Sequence, residues 1–190
     1  MEDHSGPHDD FMTTESTPTA LFLEFSRTKL ATQYWPRLQN CVESLTDEQI
    51  WWRPNAASNS IGNLMLHLNG NMRQWLVNSF NRQPDMRDRP AEFAADGALS
   101  GPTLIAKLGE TVAAGLEVLE RLTEADLVAP YEIQGYHVTG LAAVYQVIEH
   151  FGLHYGQIAY ITKMLRDQDL GFYTDLNKTG RTSGGETAKP

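Results

Sequence analysis

Sulfhydryl chemistry is nearly absent from this sequence: a single cysteine, Cys41, stands among 190 residues. That count excludes an internal disulfide and a cysteine-rich zinc module, and with no signal-peptide pattern it favours a reducing, cytoplasmic setting. Cys41 falls in the amphipathic stretch Tyr34 to Glu43, where a small buried side chain is expected rather than a nucleophile. Basic residues are scarce as well. Fifteen Lys and Arg against 24 Asp and Glu leave a formal charge of −9, with no clustered cationic stripe. A nucleic-acid surface is excluded on that ground, because phosphate binding needs such clusters. No apolar run approaches the roughly 20 residues that span a bilayer, so no transmembrane helix is expected.

What the chain does have is length for one domain, able to bury roughly 70% of the surface its unfolded form exposes. Four Trp, seven Tyr and seven Phe give that domain large side chains to pack. Residues 1–18 are polar, acidic and broken by Pro and Gly, so they are expected to form a flexible arm carrying His4 and His8. Residues 177–190 are expected to be a flexible tail. Between these ends, residues 19–176 form the expected folded domain.

Within it, apolar periodicity predicts four long helices. The first spans about Ala20 to Ser44, with Leu21, Phe25, Leu30 and Tyr34 on its apolar face and Pro36 as a kink or boundary. The second opens at Ser58 or Ser60, carries Ile61, Leu64, Met65, Leu68, Met72, Trp75 and Leu76, and stops at Asn81 to Pro84. The third begins near Pro102, and the fourth runs from Thr139 or Gly140 to Arg166, with Gly171 as the stop signal. Thr46–Gln49 and Thr123–Asp126 read as capping boxes that open short extra turns in the connections. Residues 131–139 mix β-branched and aromatic side chains, but with no evident partner strand no sheet is expected. The expected fold class is an all-α four-helix bundle.

The chemistry concentrates in histidines. His150 and His154 are four residues apart, so on a helix they share one face and can reach a common point. Neutral imidazoles at that spacing suit Zn²⁺, Ni²⁺ or Fe²⁺. His67, in the apolar middle of the second helix, completes a three-nitrogen set of the kind that bundles build from facing helices. Asn63 and Asn71 flank His67 on its face, and Gln146 and Gln157 flank the other pair, which makes all four candidates to orient imidazoles or bind substrate. His137 is the remaining histidine outside the termini; a fourth ligand there would close the site. Gly152 and Gly156 each cost a helix about 1 kcal/mol relative to Ala, and close packing or space beside a metal would account for them.

Two metal chemistries are excluded by what is missing. A metalloprotease needs Glu directly after the first histidine, where Phe151 stands. Di-iron bundles need paired Glu-x-x-His, and three residues after Glu149 comes Gly152. A single metal is the expectation.

The segments SIGNLMLHLNGNMRQWL (Ser60 to Leu76) and VIEHFGLHYGQIAYITKML (Val147 to Leu165) resemble the two signature helices of the DinB-like, or YfiT-like, superfamily. The resemblance covers about Leu21 to Arg166. It implies an up-down-down-up bundle holding one divalent metal, commonly zinc or nickel, with iron or manganese as further options, on His67, His150 and His154. It also implies a transferase that uses a low-molecular-weight thiol such as bacillithiol, mycothiol or glutathione on an electrophilic small molecule. Arg53, Arg73 and Arg82 could meet such a thiol's carboxylates. A metal-dependent hydrolase and a non-catalytic structural or sensor bundle are the alternatives. Exposed aromatics at the bundle ends make a homodimer an expectation too.

Overall fold

Thr17 starts the first helix, its hydroxyl accepting the Ala20 N–H at 3.2 Å, with Pro18 in the first turn where its missing donor is harmless. The computed structural model describes residues 17–174. Thr17 and Pro18 therefore belong to the helix start and not to the arm; the rest of that arm, with His4 and His8, and the tail at 177–190 lie outside the described residues.

The first rod has three parts: α1 (Pro18–Thr28), a π-helical segment (Lys29–Tyr34) and α2 (Trp35–Glu43). The Trp35 N–H reaches back five residues to the Leu30 carbonyl. Pro36 follows in the first turn of α2. It has no N–H for the carbonyl four residues back and its ring crowds that carbonyl, which a widened turn relieves. The apolar face also differs from the expected one. Leu21 and Phe25 are about half exposed, and the buried side of α1 runs through Leu23 and Ser26 to Leu30.

Short α3 (Asp47–Trp51) follows, opened by the expected Thr46/Gln49 capping box. The second rod comprises α4 (Ile61–Met72), a second π-helical segment (Arg73–Asn78) and α5 (Ser79–Asn81). Ser60 and Asn63 cap it reciprocally. A crossover over residues 82–100 contains α6 (Arg89–Ala94) and leads to α7 (Gly101–Arg121), capped by Ser100. After α8 (Glu124–Val128) comes a two-stranded antiparallel hairpin, β1 (Pro130–Ile133) and β2 (Tyr136–Thr139), with Ile133 opposite Tyr136. This corrects the expectation of no sheet. The turn residues Gln134 and Gly135 both have positive φ, 54° and 78°, the signature of a tight two-residue hairpin loop. The last rod is α9 (Gly140–Arg166), which ends on Asp167 at φ 50°, four residues before the Gly171 expected to stop it.

The four rods pack as an up-down-down-up bundle, so the second and third run parallel and need the long crossover between them. Leu30, Leu38, Met65, Leu68, Met72, Leu76, Leu108, Leu119 and Phe151 fill its centre. Each contributes about 1.5–3 kcal/mol by leaving water. Among the described residues no helix is long and apolar enough to cross a membrane.

Candidate metal centre

His67 lies at mid-length of α4, between the buried Leu64 and Leu68, and is itself only 5% exposed. His150 and His154 lie on α9, half-buried, their ring centroids 4.4 Å apart and 5.0 and 5.1 Å from that of His67. One ring nitrogen from each comes within 4.8 Å of the other two, and this is the set of His, Cys, Asp or Glu that converges so among the described residues. His137 sits exposed on β2, opposite Glu132, and takes no part.

The outer nitrogens are occupied. His67 Nδ1 lies 2.9 Å from Glu92 Oε2, and His154 Nδ1 lies 2.7 Å from Gln157 Oε1. A carboxylate and an amide oxygen can only accept, so both rings carry the proton on Nδ1 and turn the Nε2 lone pair inward. His67 Nε2 then meets His150 Nε2 at 2.9 Å. Two bare lone pairs cannot face each other at that distance; a proton or a cation must lie between them. Cis ligands bound at about 2.1 Å would stand roughly 3 Å apart, so the pair suits a cation.

Electrostatics favour neutral rings. Burial first, and then His154, His67 and the Arg87 and Arg89 guanidinium groups, bring the His150 pKa down to about 4. Burial also lowers that of His154, against the opposing hydrogen bond to Gln157. Neutral imidazole is the ligand form, so little proton competition remains near pH 7.

Behind His67 stands a buried polar network that sequence reasoning missed. Arg87, its side chain 5% exposed, donates from Nε to Glu92 Oε1 at 2.7 Å and from Nη2 to Oε2 at 2.8 Å. Its Nη1 donates to Gln74 Oε1 at 2.9 Å, and Gln74 Nε2 donates in turn to Asp85. Burial alone would raise the Glu92 pKa, but the hydrogen bonds from Arg87 and His67 outweigh it and hold the carboxylate low, hence charged. Gly70 makes the room: a Cβ there would fall 1.9 Å from Glu92 Oε1.

The expected amides divide. Gln157 contacts His154, as above. Asn63 caps α4 and donates from Nδ2 to the Glu92 and Ala95 carbonyls at 3.0 and 2.8 Å, so it touches the cluster only through the segment bearing Glu92. Asn71 is buried and Gln146 half-buried, and neither makes a side-chain hydrogen bond among the described residues. Arg53 is tied to the Ala95 carbonyl, while Arg73 and Arg82 line separate hollows away from the histidines. Gly152 is explained by packing, since a Cβ would lie 2.8 Å from the Tyr34 hydroxyl; Gly156 has nothing within 4 Å. Cys41 is fully buried, which pushes its thiol up to about 11 and leaves it inert.

Fold and site together define a DinB-like helical bundle with three histidines gathered between its second and fourth rods. The chain belongs to the family described as "Protein of unknown function (DUF1572)", whose pattern matches residues 19–174. That family is DinB-like, so the resemblance drawn from the two histidine-bearing helices holds at superfamily level. A solved DinB-like protein from Bacillus cereus ATCC 10987 is similar in fold, with a TM-score of 0.57 and 16% identity over 71% of this chain and 87% of that one. A conserved protein from Enterococcus faecalis superposes with a TM-score of 0.64, again at 16% identity, over 80% of this chain and 99% of that one. No curated protein matches the sequence.

Proposed function

We propose that His67, His150 and His154 hold one divalent cation, and that the protein is a metal-dependent transferase acting with a low-molecular-weight thiol on an electrophilic small molecule. The observation that carries this reading is the pair of anchored imidazoles: Glu92 and Gln157 fix the Nδ1–H tautomers, so two Nε2 lone pairs are aimed at a common point beside His150. Zinc or nickel suits three neutral nitrogens, with iron or manganese next. A bound cation would supply Lewis acidity, lowering the pKa of a thiol placed against it. The chain's own residues do the rest. Arg87 keeps Glu92 ionised, Glu92 holds the His67 proton away from the centre, and the buried side of α4 excludes water behind it. His150 and His154 are half-exposed, which leaves a side from which a small molecule can approach.

The test has two arms. Purified protein should contain about one equivalent of divalent metal by elemental analysis, and His67→Ala and His150→Ala should each abolish it. Full occupancy in both variants would sink the site. Bacillithiol, mycothiol and glutathione are then offered with monochlorobimane, with and without chelator. Conjugation that chelator does not slow would remove the metal from the mechanism, and metal-bound protein inactive with all three thiols would leave the hydrolase and non-catalytic readings.

A further inference from the structure

The largest cavity does not contain the histidines. It measures about 810 Å³ and lies between α4, the start of α7 and the crossover, on the far side of the Arg87–Glu92 pair from His67. That volume falls in the range of small-molecule clefts. Its charges are unevenly satisfied. Each acidic residue on its wall has a partner: Glu92 holds Arg87 and His67, Asp85 accepts from Gln74 and from the Arg87 N–H, and Asp88 caps α6 through the Ala91 N–H. Arg73 and Lys107, on the same wall, form no ion pair or hydrogen bond through their side chains among the described residues.

A third donor lies deeper. Asn69, 7% exposed, accepts the Thr111 hydroxyl at 2.7 Å on Oδ1. Its amide nitrogen, on the cavity wall, has no partner among the described residues. Buried amides are ordinarily satisfied, so a free one in a cavity marks a place for an acceptor. Leu66, Pro84 and Ala91 supply apolar wall beside these donors.

We infer that this cavity binds a small organic carboxylate with an apolar body, its carboxylate held by Arg73, Lys107 and Asn69. Two cations and one neutral donor without internal acceptors match an anionic oxygen pair, and the apolar wall matches the remainder of such a molecule. In a chain of charge −9, the two cations also provide local attraction for an anion that the surface at large would repel. The site uses none of the histidines, so it does not depend on the metal reading.

The test is calorimetric titration of the full-length protein with 1-naphthoate and with uncharged 1-naphthamide. The expected result is saturable one-to-one binding of 1-naphthoate, about tenfold tighter than 1-naphthamide, as a charge-assisted hydrogen bond provides. In the double variant Arg73→Gln/Lys107→Gln the two probes should bind alike; both positions are exposed, so folding should be intact and is checked by the unfolding midpoint. Equal binding of the two probes to the unaltered protein, or binding of neither, overturns the inference. So does 1-naphthoate binding that survives the double variant and is lost in His154→Ala, which would place the anion at the histidines.

Discussion

Replacing Gly70 by Ala separates helix propensity from site architecture, because the two predict opposite signs. Gly70 lies inside α4, where Ala would stabilise an ordinary helix by about 1 kcal/mol. Here the new Cβ would stand 1.9 Å from Glu92 Oε1, 2.8 Å from Arg87 Nε and 2.9 Å from Glu92 Cδ, where ordinary contact begins near 3.4 Å. The carboxylate must retreat by more than 1 Å, which its 2.7 Å bond to Arg87 and 2.9 Å bond to His67 cannot both survive. Removing one partner of a buried pair costs about 3–5 kcal/mol, and in Gly70→Ala both charges remain and can shift towards the cavity, so the overpacking range of about 1–3 kcal/mol is the better guide. Against the propensity gain we expect a net loss of about 2 kcal/mol, or a midpoint lower by about 4–8 °C for a chain of this size. Metal affinity should fall about 10- to 100-fold, as it does when the hydrogen-bond partner of a ligating histidine is displaced. Thermal unfolding of chelator-treated protein and competition with a colorimetric chelator measure the two effects. A midpoint raised by a few degrees with unchanged metal affinity would refute the reasoning.

Gln157→Leu should weaken metal binding about tenfold while changing stability by less than about 0.5 kcal/mol, since Gln157 is exposed and its visible task is to accept the His154 proton; equal affinity by chelator competition would contradict that role. Gly156→Ala should raise the unfolding midpoint by a few degrees, whereas Gly152→Ala should lower it by crowding the Tyr34 hydroxyl, and a matched response of the two would contradict the packing described. In chelator-treated protein, stability should fall as pH drops. His150 titrates near 4 when folded but near 6.5 when unfolded, so the unfolded chain binds more protons between those values and stability is lost from pH 6.5 down to about 4. Glu92, its pKa lowered on folding, acts in the same direction below its unfolded value of 4.5. A denaturation midpoint flat from pH 7 to pH 4 would show that these groups are not so placed.

Helix starts were legible because their chemistry is local. Thr46 with Gln49, Ser60 at α4, Pro102 at α7 and Thr123 with Asp126 each place a specific donor and acceptor within four residues. The departures from expectation also have local causes, but weaker ones. Gln134 adopts positive φ only because Gly135 and the pairing of β1 with β2 hold it there. The π turn before Pro36 shifts the helical register, so an apolar face drawn through Leu21 and Phe25 at constant period does not meet the buried one. Period reasoning assumes one register for the whole rod, and a widened turn breaks that assumption.

The histidines were legible for the same reason as the caps: four residues on a helix is one face, and facing apolar helices bring such faces together. Glu92 and Arg87 were not, because PDMRDRPAE has no period and its contact with His67 is made by tertiary docking. One signal was present. Asp88 followed by Arg89 and Pro90 is an N-cap with proline in the first turn, and α6 starts there. What places α6 is Asn63, one turn before His67 in α4, whose amide binds the carbonyls of Glu92 and Ala95. The same side chain accepts the Ser60 N–H to close the helix cap. Helix start and crossover docking thus share a residue, and Glu92 reaches His67 as a result. The parallel course of the second and third rods requires a long connection, and in this chain that connection returns along α4 with the carboxylate that orients a ligand histidine. A bundle with antiparallel neighbours and a short loop at this point would have had no segment from which to supply it.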